Sequence, residues 1–314
     1  MFVKRIAYPF NLLYQWFYKW RVQVSRLTTG CVLLVLGYWS WQHRLHLQQL
    51  FGDLTFIDFL TLAFLITVGL ALSALSFTLL VRCMRYRFSY QDAYHYLNLS
   101  QIAAMLPGKI WGLTGLAGLL WSRGISKQDS VLIIFLHTTL TLSAAILVGV
   151  LALISVIGWG FTTLCLLPLI LLLVGRKWLE ALRSRYFSAS SSLPGPLPLL
   201  VNFIIGFLSW VIVSTCFLYF VYGIEQQWPS SPLLVASIFA AAYIGGFISF
   251  FTPAGLGVRE GIITLLLGAT IGNEEAFAVA VGFRILHTAI LWAHVAITLV
   301  LLTLSMQIER KHIR

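Results

Sequence analysis

A series of long apolar runs almost free of charge limits what this chain can fold into. Residues 56–81, for example, hold one charged residue, Asp58. A helix needs about 20 such residues to cross the hydrocarbon core of a bilayer. No water is available there, so every backbone polar group must be satisfied within the protein. Of the 314 residues, 59% are apolar and 10% charged, against roughly 25% charged in a soluble domain. The longest polar stretch, residues 175–198, is too short to hold its own core. These features predict an all-α polytopic membrane protein.

Six segments are predicted to span fully: residues 27–41, 56–81, 130–157, 161–174, 199–222 and 276–306. Two more apolar segments are interrupted in the middle by Pro and Gly. The first, 90–121, is interrupted at Pro107-Gly108, and the second, 233–271, at Pro253-Ala254-Gly255-Leu256-Gly257. Pro removes a backbone donor and clashes with the preceding turn, so each segment reads as two helices joined at a tip.

Charge placement orients these segments. The net charge is +11, and 17 of the 21 Lys/Arg fall in five clusters beside apolar runs. The clusters are Lys4, Arg5, Lys19, Arg21 and Arg26; Arg82, Arg85 and Arg87; Arg123 and Lys127; Arg176, Lys177, Arg183 and Arg185; and Arg310, Lys311 and Arg314. Such flanking clusters mark cytoplasmic loops and argue against a nucleic-acid partner. Both ends of the first broken segment are basic, and both ends of the second lack Lys and Arg. The two therefore read as helical hairpins, re-entrant or fully crossing, that enter from opposite sides. Only Arg44 remains as a basic residue outside. Both termini are then cytoplasmic, and the expected location is the cell (inner) membrane.

The plan that results is an inverted repeat. Residues 1–26 form a basic, aromatic interfacial helix, 27–157 the first half and 158–306 the second, inverted half; 307–314 form a cytoplasmic tail. A sequence echo accompanies the symmetry. In both tips a small residue follows Pro, and Gly falls eight positions after it. The span after each hairpin carries Leu-His-Thr, at Leu136-His137-Thr138 and Leu286-His287-Thr288.

Ionisable residues at membrane depth are costly and point to function. Here they are Lys109 beside the first tip, Arg259 and Glu260 after the second, and Arg284 in the last span with His287 and His294 on one broad face. A helix that restarts after a break directs its positive end at the gap. With Lys109 at one tip and Arg259 at the other, two anion sites suited to a phosphate or carboxylate are expected. The competing readings are structural. Arg259 and Glu260 either neutralise each other or other buried groups, or serve binding. Lys109 either snorkels to the surface or faces the substrate. His137 and His287 are either packing residues or ligand-binding ones. Asp58 is either solvated near the interface or functional. Asp92, His95, Asn98 and Gln101, three apart, form either the wet face of an interfacial helix or a cavity wall.

Catalytic and metal motifs are absent. The chain has no His-Glu-x-x-His, no phosphate-binding Gly-Lys-Ser/Thr loop and no Cys-x-x-Cys. Cys31, Cys83, Cys165 and Cys216 are scattered and read as buried apolar side chains. Neither an enzyme activity nor a cofactor is expected.

Two stretches carry a family resemblance. One is Leu106-Pro107-Gly108-Lys109 with Gly112, followed by Trp121-Ser122-Arg123-Gly124-Ile125-Ser126. The other is Thr252-Pro253-Ala254-Gly255-Leu256-Gly257-Val258-Arg259-Glu260-Gly261. With Phe283-Arg284, they resemble the transmembrane-domain family of lysylphosphatidylglycerol synthases, flippase-like integral membrane proteins. The resemblance covers about residues 27–306 and does not extend to an aminoacyl-transferase domain. It implies lipid handling: translocation of an anionic phospholipid or a polyisoprenyl-phosphate-linked lipid between leaflets. The expected substrate-binding residues are Pro107, Gly108, Lys109, His137, Pro253, Gly255, Gly257, Arg259, Glu260, Arg284 and His287. The alternative is a non-transporting membrane partner of a glycosyltransferase or lipid-modifying enzyme. An intramembrane enzyme acting on a lipid is a third reading. The sequence leaves the oligomeric state open.

Overall fold

A computed structural model describes residues 51–104, 110–165, 193–249 and 252–312, with isolated positions between 34 and 48. The predicted interfacial helix 1–26, most of the predicted span 27–41, the first tip with Pro107, Gly108 and Lys109, and most of 161–174 lie outside them. The described elements are all helical, without strands. In chain order they are α1 (Phe56–Cys83), α2 (Tyr90–Ala104), α3 (Ile110–Ser122), α4 (Lys127–Val148), α5 (Val150–Cys165), α6 (Pro196–Glu225), α7 (Pro232–Ile248), a 3-10 turn (Pro253–Gly255), α8 (Val258–Ile271) and α9 (Asn273–His312).

Local sequence sets most helix starts. The Thr55 hydroxyl accepts the Asp58 N–H, and the Asp58 carboxylate accepts the Thr55 N–H, which closes a capping box on α1. Asp58 also accepts the Tyr219 hydroxyl at 2.5 Å. It is therefore a structural residue that ties α1 to α6. Ser126 caps α4, and the carboxylate of fully buried Asp129 accepts the Tyr86 hydroxyl at 2.6 Å. Pro occupies the first turn of α6 and α7, where its missing N–H costs no helical bond.

Among the described residues, four helices are long and apolar enough to cross a membrane: Phe56–Cys83, Lys127–Val148, Pro196–Glu225 and Asn273–Leu301. Their outer faces are apolar. Phe56, Ile57, Leu60 and Phe64 on α1 are exposed, as are Leu197, Leu200, Ile204 and Leu208 on α6. In water such faces would mark a binding surface or aggregation; in a bilayer they face lipid tails.

Helices α2 and α3 pack against each other as one hairpin, and α7 and α8 as another. Their arms have 15, 13, 17 and 14 residues. At 1.5 Å per residue that is roughly 20–26 Å each, less than the ~30 Å hydrocarbon core. Buried side chains form two cores. One gathers the first hairpin with the end of α1 and the start of α4; the other gathers the second hairpin with α6 and α9. Between them, Ser76 and Asn202 exchange hydrogen bonds that link α1 to α6.

One predicted span is corrected. Residues 130–157 do not form a single helix: α4 ends at Val148 on a Gly149 cap, and α5 begins at Val150. The break is a single residue, and the position must be glycine: a Cβ at Gly149 would lie 2.9 Å from the Ala241 backbone nitrogen, because α7 passes against the chain there. Within α5, Gly158 adopts φ 75° and interrupts the helical path again.

Candidate anion site at the second hairpin tip

Helix α7 ends at Ile248, and α8 restarts at Val258. Between them the chain turns through three left-handed residues, Ala254 (φ 49°), Gly255 (φ 70°) and Gly257 (φ 79°). Gly255 is required by space as well as by φ. A Cβ there would lie 2.8 Å from the Gly246 Cα on the opposite arm. Left-handed backbone at Ala254 costs about 1–2 kcal/mol and needs an external tie. Arg284 on α9 provides it: Nη2 donates to the Ala254 carbonyl at 3.2 Å.

The same arginine neutralises Glu260. Arg284 Nη1 donates to Glu260 Oε1 at 2.5 Å, and the Gly257 N–H donates to Glu260 Oε2 at 2.7 Å. The Glu260 side chain is 2% exposed, and both its oxygens are engaged. This decides half of the structural reading. Glu260 is indeed paired, but with Arg284 from the last span rather than with its neighbour Arg259. Together Glu260 and Arg284 fix the tip's shape.

Arg259 is held differently. Its guanidinium lies over the Tyr243 ring, 4.2 Å from the centroid, and Trp210 packs edge-on against the same ring at 4.6 Å. Its Cγ fills the space above Gly246, where a Cβ would come within 2.6 Å. Arg259 Nε is buried without a hydrogen-bond partner, and no carboxylate forms an ion pair with this side chain among the described residues. A cation over an aromatic ring gains about 0.5–2 kcal/mol. Removing the charge from water costs several kcal/mol. The second effect is larger, so the ring alone does not compensate the charge of Arg259. It lies at the start of α8, whose free N–H groups and dipole add to it.

Of the other predicted residues, His287 lies between Phe239 and Phe283, at ring separations of 6.2 and 6.1 Å. His137 stacks edge-on against Phe77 at 5.0 Å. The tip therefore brings together Arg259, Glu260, Arg284, Gly255 and Gly257. His137 instead lines an open cavity of about 170 Å³ between α1, α2, α3, α4 and α7. Tyr243 belongs to both sites: it carries Arg259 and lines the cavity.

The polar row on α2 is wet at its ends and buried in the middle: Asp92 pairs with Arg123 in an exposed contact, Asn98 is buried, and exposed Gln101 lines the cavity mouth. Asn98 and His95 reach Thr298 on α9, at 3.4 and 3.2 Å. His294 bonds Tyr94 through Nδ1 and Thr67 through Nε2. The single Thr67 hydroxyl proton is donated to the Ala63 carbonyl. Nε2 of His294 therefore carries the hydrogen, and Nδ1 accepts from Tyr94. This chain fastens the first hairpin to the last helix.

Sequence reading missed Tyr243, the Ala254 carbonyl and the cavity hydroxyls. One signal was present. Thr138 and Thr141, three apart beside His137, place polar groups on one face of an otherwise apolar helix.

No curated protein is significantly similar to the chain. Residues 24–297 match the family model described as the lysylphosphatidylglycerol synthase TM region. That match takes in both hairpins and every described spanning helix except the end of the last, which it covers to residue 297. The chain is thus a multi-pass α-helical membrane protein and belongs to the lysylphosphatidylglycerol synthase transmembrane-region family.

Proposed function

We propose that this protein translocates a lipid with an anionic head group, a phospholipid or a polyisoprenyl-phosphate-linked lipid, between leaflets. Arg259 is the observation that carries the reading: a cation at a broken-helix tip, buried at Nε and, among the described residues, in no ion pair with a carboxylate. It would hold the phosphate, with Lys109 of the first tip as its counterpart from the other side. The lipid would leave chemically unaltered.

An inverted repeat with two re-entrant hairpins accounts for several observations together. The hairpin arms are shorter than the membrane core is thick. Helix α2 packs on α9, and α7 packs on α4, so each hairpin rests on the span that follows the other. Equivalent helices α1 and α6 form the largest contact. Cytoplasmic termini and residence in the cell membrane rest on the Lys/Arg asymmetry.

The test is leaflet exchange of labelled phosphatidylglycerol, phosphatidylethanolamine and a polyisoprenyl phosphate in proteoliposomes. Exchange above empty vesicles that is lost with Lys109→Ala and Arg259→Ala is the expected result. If exchange is absent for every probe, translocation is refuted and the non-transporting partner of a lipid-modifying enzyme becomes the reading to pursue.

A further inference from the structure

The junction between the first hairpin and the last helix is built unlike the rest of the bundle. Among the described residues, the apolar core that holds α2 and α3 contains no residue of α9, and the core that holds α9 contains none of α2 or α3. The two elements are joined by polar bonds instead, and those bonds meet two histidines. His294 of α9 accepts the Tyr94 hydroxyl of α2 at Nδ1. His95 of α2 faces Thr298 of α9, with Nδ1 3.2 Å from the hydroxyl oxygen. Thr298 is fully buried and accepts Asn98 Nδ2 at 3.4 Å; its own hydrogen has no other acceptor among the described residues. The Thr298 hydroxyl therefore donates to His95 Nδ1. Each element thus gives a hydroxyl hydrogen to an imidazole on the other, and both bonds need a bare Nδ1.

A bare imidazole nitrogen accepts a proton, and histidine ordinarily changes charge between about pH 5 and 8. A proton on His95 Nδ1 sets N–H against O–H and leaves the buried Thr298 hydroxyl without an acceptor, which is costly. A proton on His294 Nδ1 does the same to the Tyr94 bond, and Tyr94 lines the open cavity, which gives water a way to this ring. The neighbouring groups leave the added charge largely uncompensated. Asp92, one turn before His95 on α2, favours it, but its carboxylate already serves Arg123 and Ser89. Tyr90 is stacked on Tyr94 at 6.4 Å. On α1, Thr67 takes the His294 Nε2–H, while Asp58, Arg82 and Cys83 lie at the two helix ends. On α9, His287 and Arg284 come seven and ten positions before His294, and Arg284 is paired with Glu260 of α8. Helix α6 meets α9 through Phe217 and Phe220 at Phe283.

We propose that His95 and His294 form a proton-binding latch. With both rings neutral the first hairpin is docked on the last helix; a proton bound to the lone pair of either Nδ1 releases it. The docked state binds fewer protons than the released one, so docking weakens as pH falls. The bearing of the latch on transport rests on the translocation reading above: release frees the first hairpin to move, and leaflet exchange quickens in acid.

Amide hydrogen exchange of the full chain in lipid nanodiscs, corrected for the intrinsic pH dependence of exchange, tests it. Protection of α2 should fall by about tenfold or more between about pH 8 and pH 5.5, while that of α6 stays constant. Asn accepts a hydrogen bond and does not titrate, so His95→Asn with His294→Asn should remove the pH dependence. Tyr94→Phe with Thr298→Val removes the donors and keeps the shapes; α2 should then show the acid-level protection of the wild type already at pH 8, with α6 unchanged certifying the fold. Wild-type protection that does not vary with pH, or pH dependence that survives in either double variant, overturns the latch. Labelled phosphatidylglycerol exchange in proteoliposomes over the same pH range separates the two readings. A rate that rises with the loss of α2 protection supports both. Latch opening without any change in a measurable rate overturns its role in transport, and no exchange at any pH overturns translocation while the latch stands on the amide data.

Discussion

Replacing Arg284 with Met should destabilise the protein strongly, because it leaves Glu260 with one partner in place of two. The Glu260 side chain is 2% exposed, and among the described residues Arg284 alone serves its Oε1. Removing one member of a buried ion pair costs about 3–5 kcal/mol, since the remaining charge is uncompensated. The substitution also releases the Ala254 carbonyl, which holds a left-handed residue in place. Ordinary hydrogen bonds between membrane helices contribute much less, about 0.6 kcal/mol on average and about 1.7 at most. The size of the effect thus separates an ion pair from a simple tie. The assay is unfolding of the purified protein in mixed micelles with increasing dodecyl sulfate, followed by tryptophan fluorescence. Arg284→Met should lower stability by ~3 kcal/mol or more. Adding Glu260→Gln should recover at least ~1 kcal/mol of that loss, as expected for directly coupled residues. A loss below ~1 kcal/mol for the single variant, or strictly additive effects, would show that the two side chains do not act as a pair.

The neighbouring arginine should behave in the opposite way. Arg259→Gln removes a poorly compensated cation, so it should leave stability within ~0.5 kcal/mol of wild type or raise it while abolishing lipid exchange; a loss above ~1 kcal/mol would make Arg259 a structural tie. Gly246→Ala should push the flexible Arg259 side chain off Tyr243 and lower exchange in proteoliposomes with little change in the unfolding midpoint, because the contacts at 2.6 and 2.8 Å are to side-chain atoms. Gly149→Ala meets the Ala241 backbone at 2.9 Å, which cannot move aside, and overpacking of this kind should cost about 1–3 kcal/mol in the same unfolding assay. A double-mutant cycle of Ser76→Ala with Asn202→Leu should give a coupling of about 0.6–1.7 kcal/mol for the link between α1 and α6, and zero coupling would place their hydrogen bonds outside the stable bundle.

Much of the architecture is local and therefore legible in the sequence. Hydrocarbon tolerates few charges, so the spans at 56–81 and 199–222 stand out from composition alone. Pro253 and the Gly residues after it stop one helix and start another whatever surrounds them, and the structure breaks there. The capping role of Asp58 is equally local, because Thr55 lies three positions before it. The site was legible as a set of residue types. Arg259, Glu260 and Arg284 could be identified because charge at membrane depth demands a reason.

Their roles were not legible, because partners in space need not be neighbours in sequence. Glu260 adjoins Arg259 in the chain, yet its charge is met by Arg284, 24 positions away, because α9 packs against α8 and brings that guanidinium to the tip. Arg259 instead points across the hairpin to Tyr243, an aromatic residue with no sequence mark of its own. The need for glycine at position 149 depends on where α7 crosses α4. The cavity arises only where the two cores leave a gap between them. Composition and turn chemistry, set by solvent transfer and backbone sterics, determined that this chain crosses membranes and where its helices break at the second tip. Long-range packing alone decided that Glu260 is neutralised by Arg284 and that Arg259 lies instead over the Tyr243 ring.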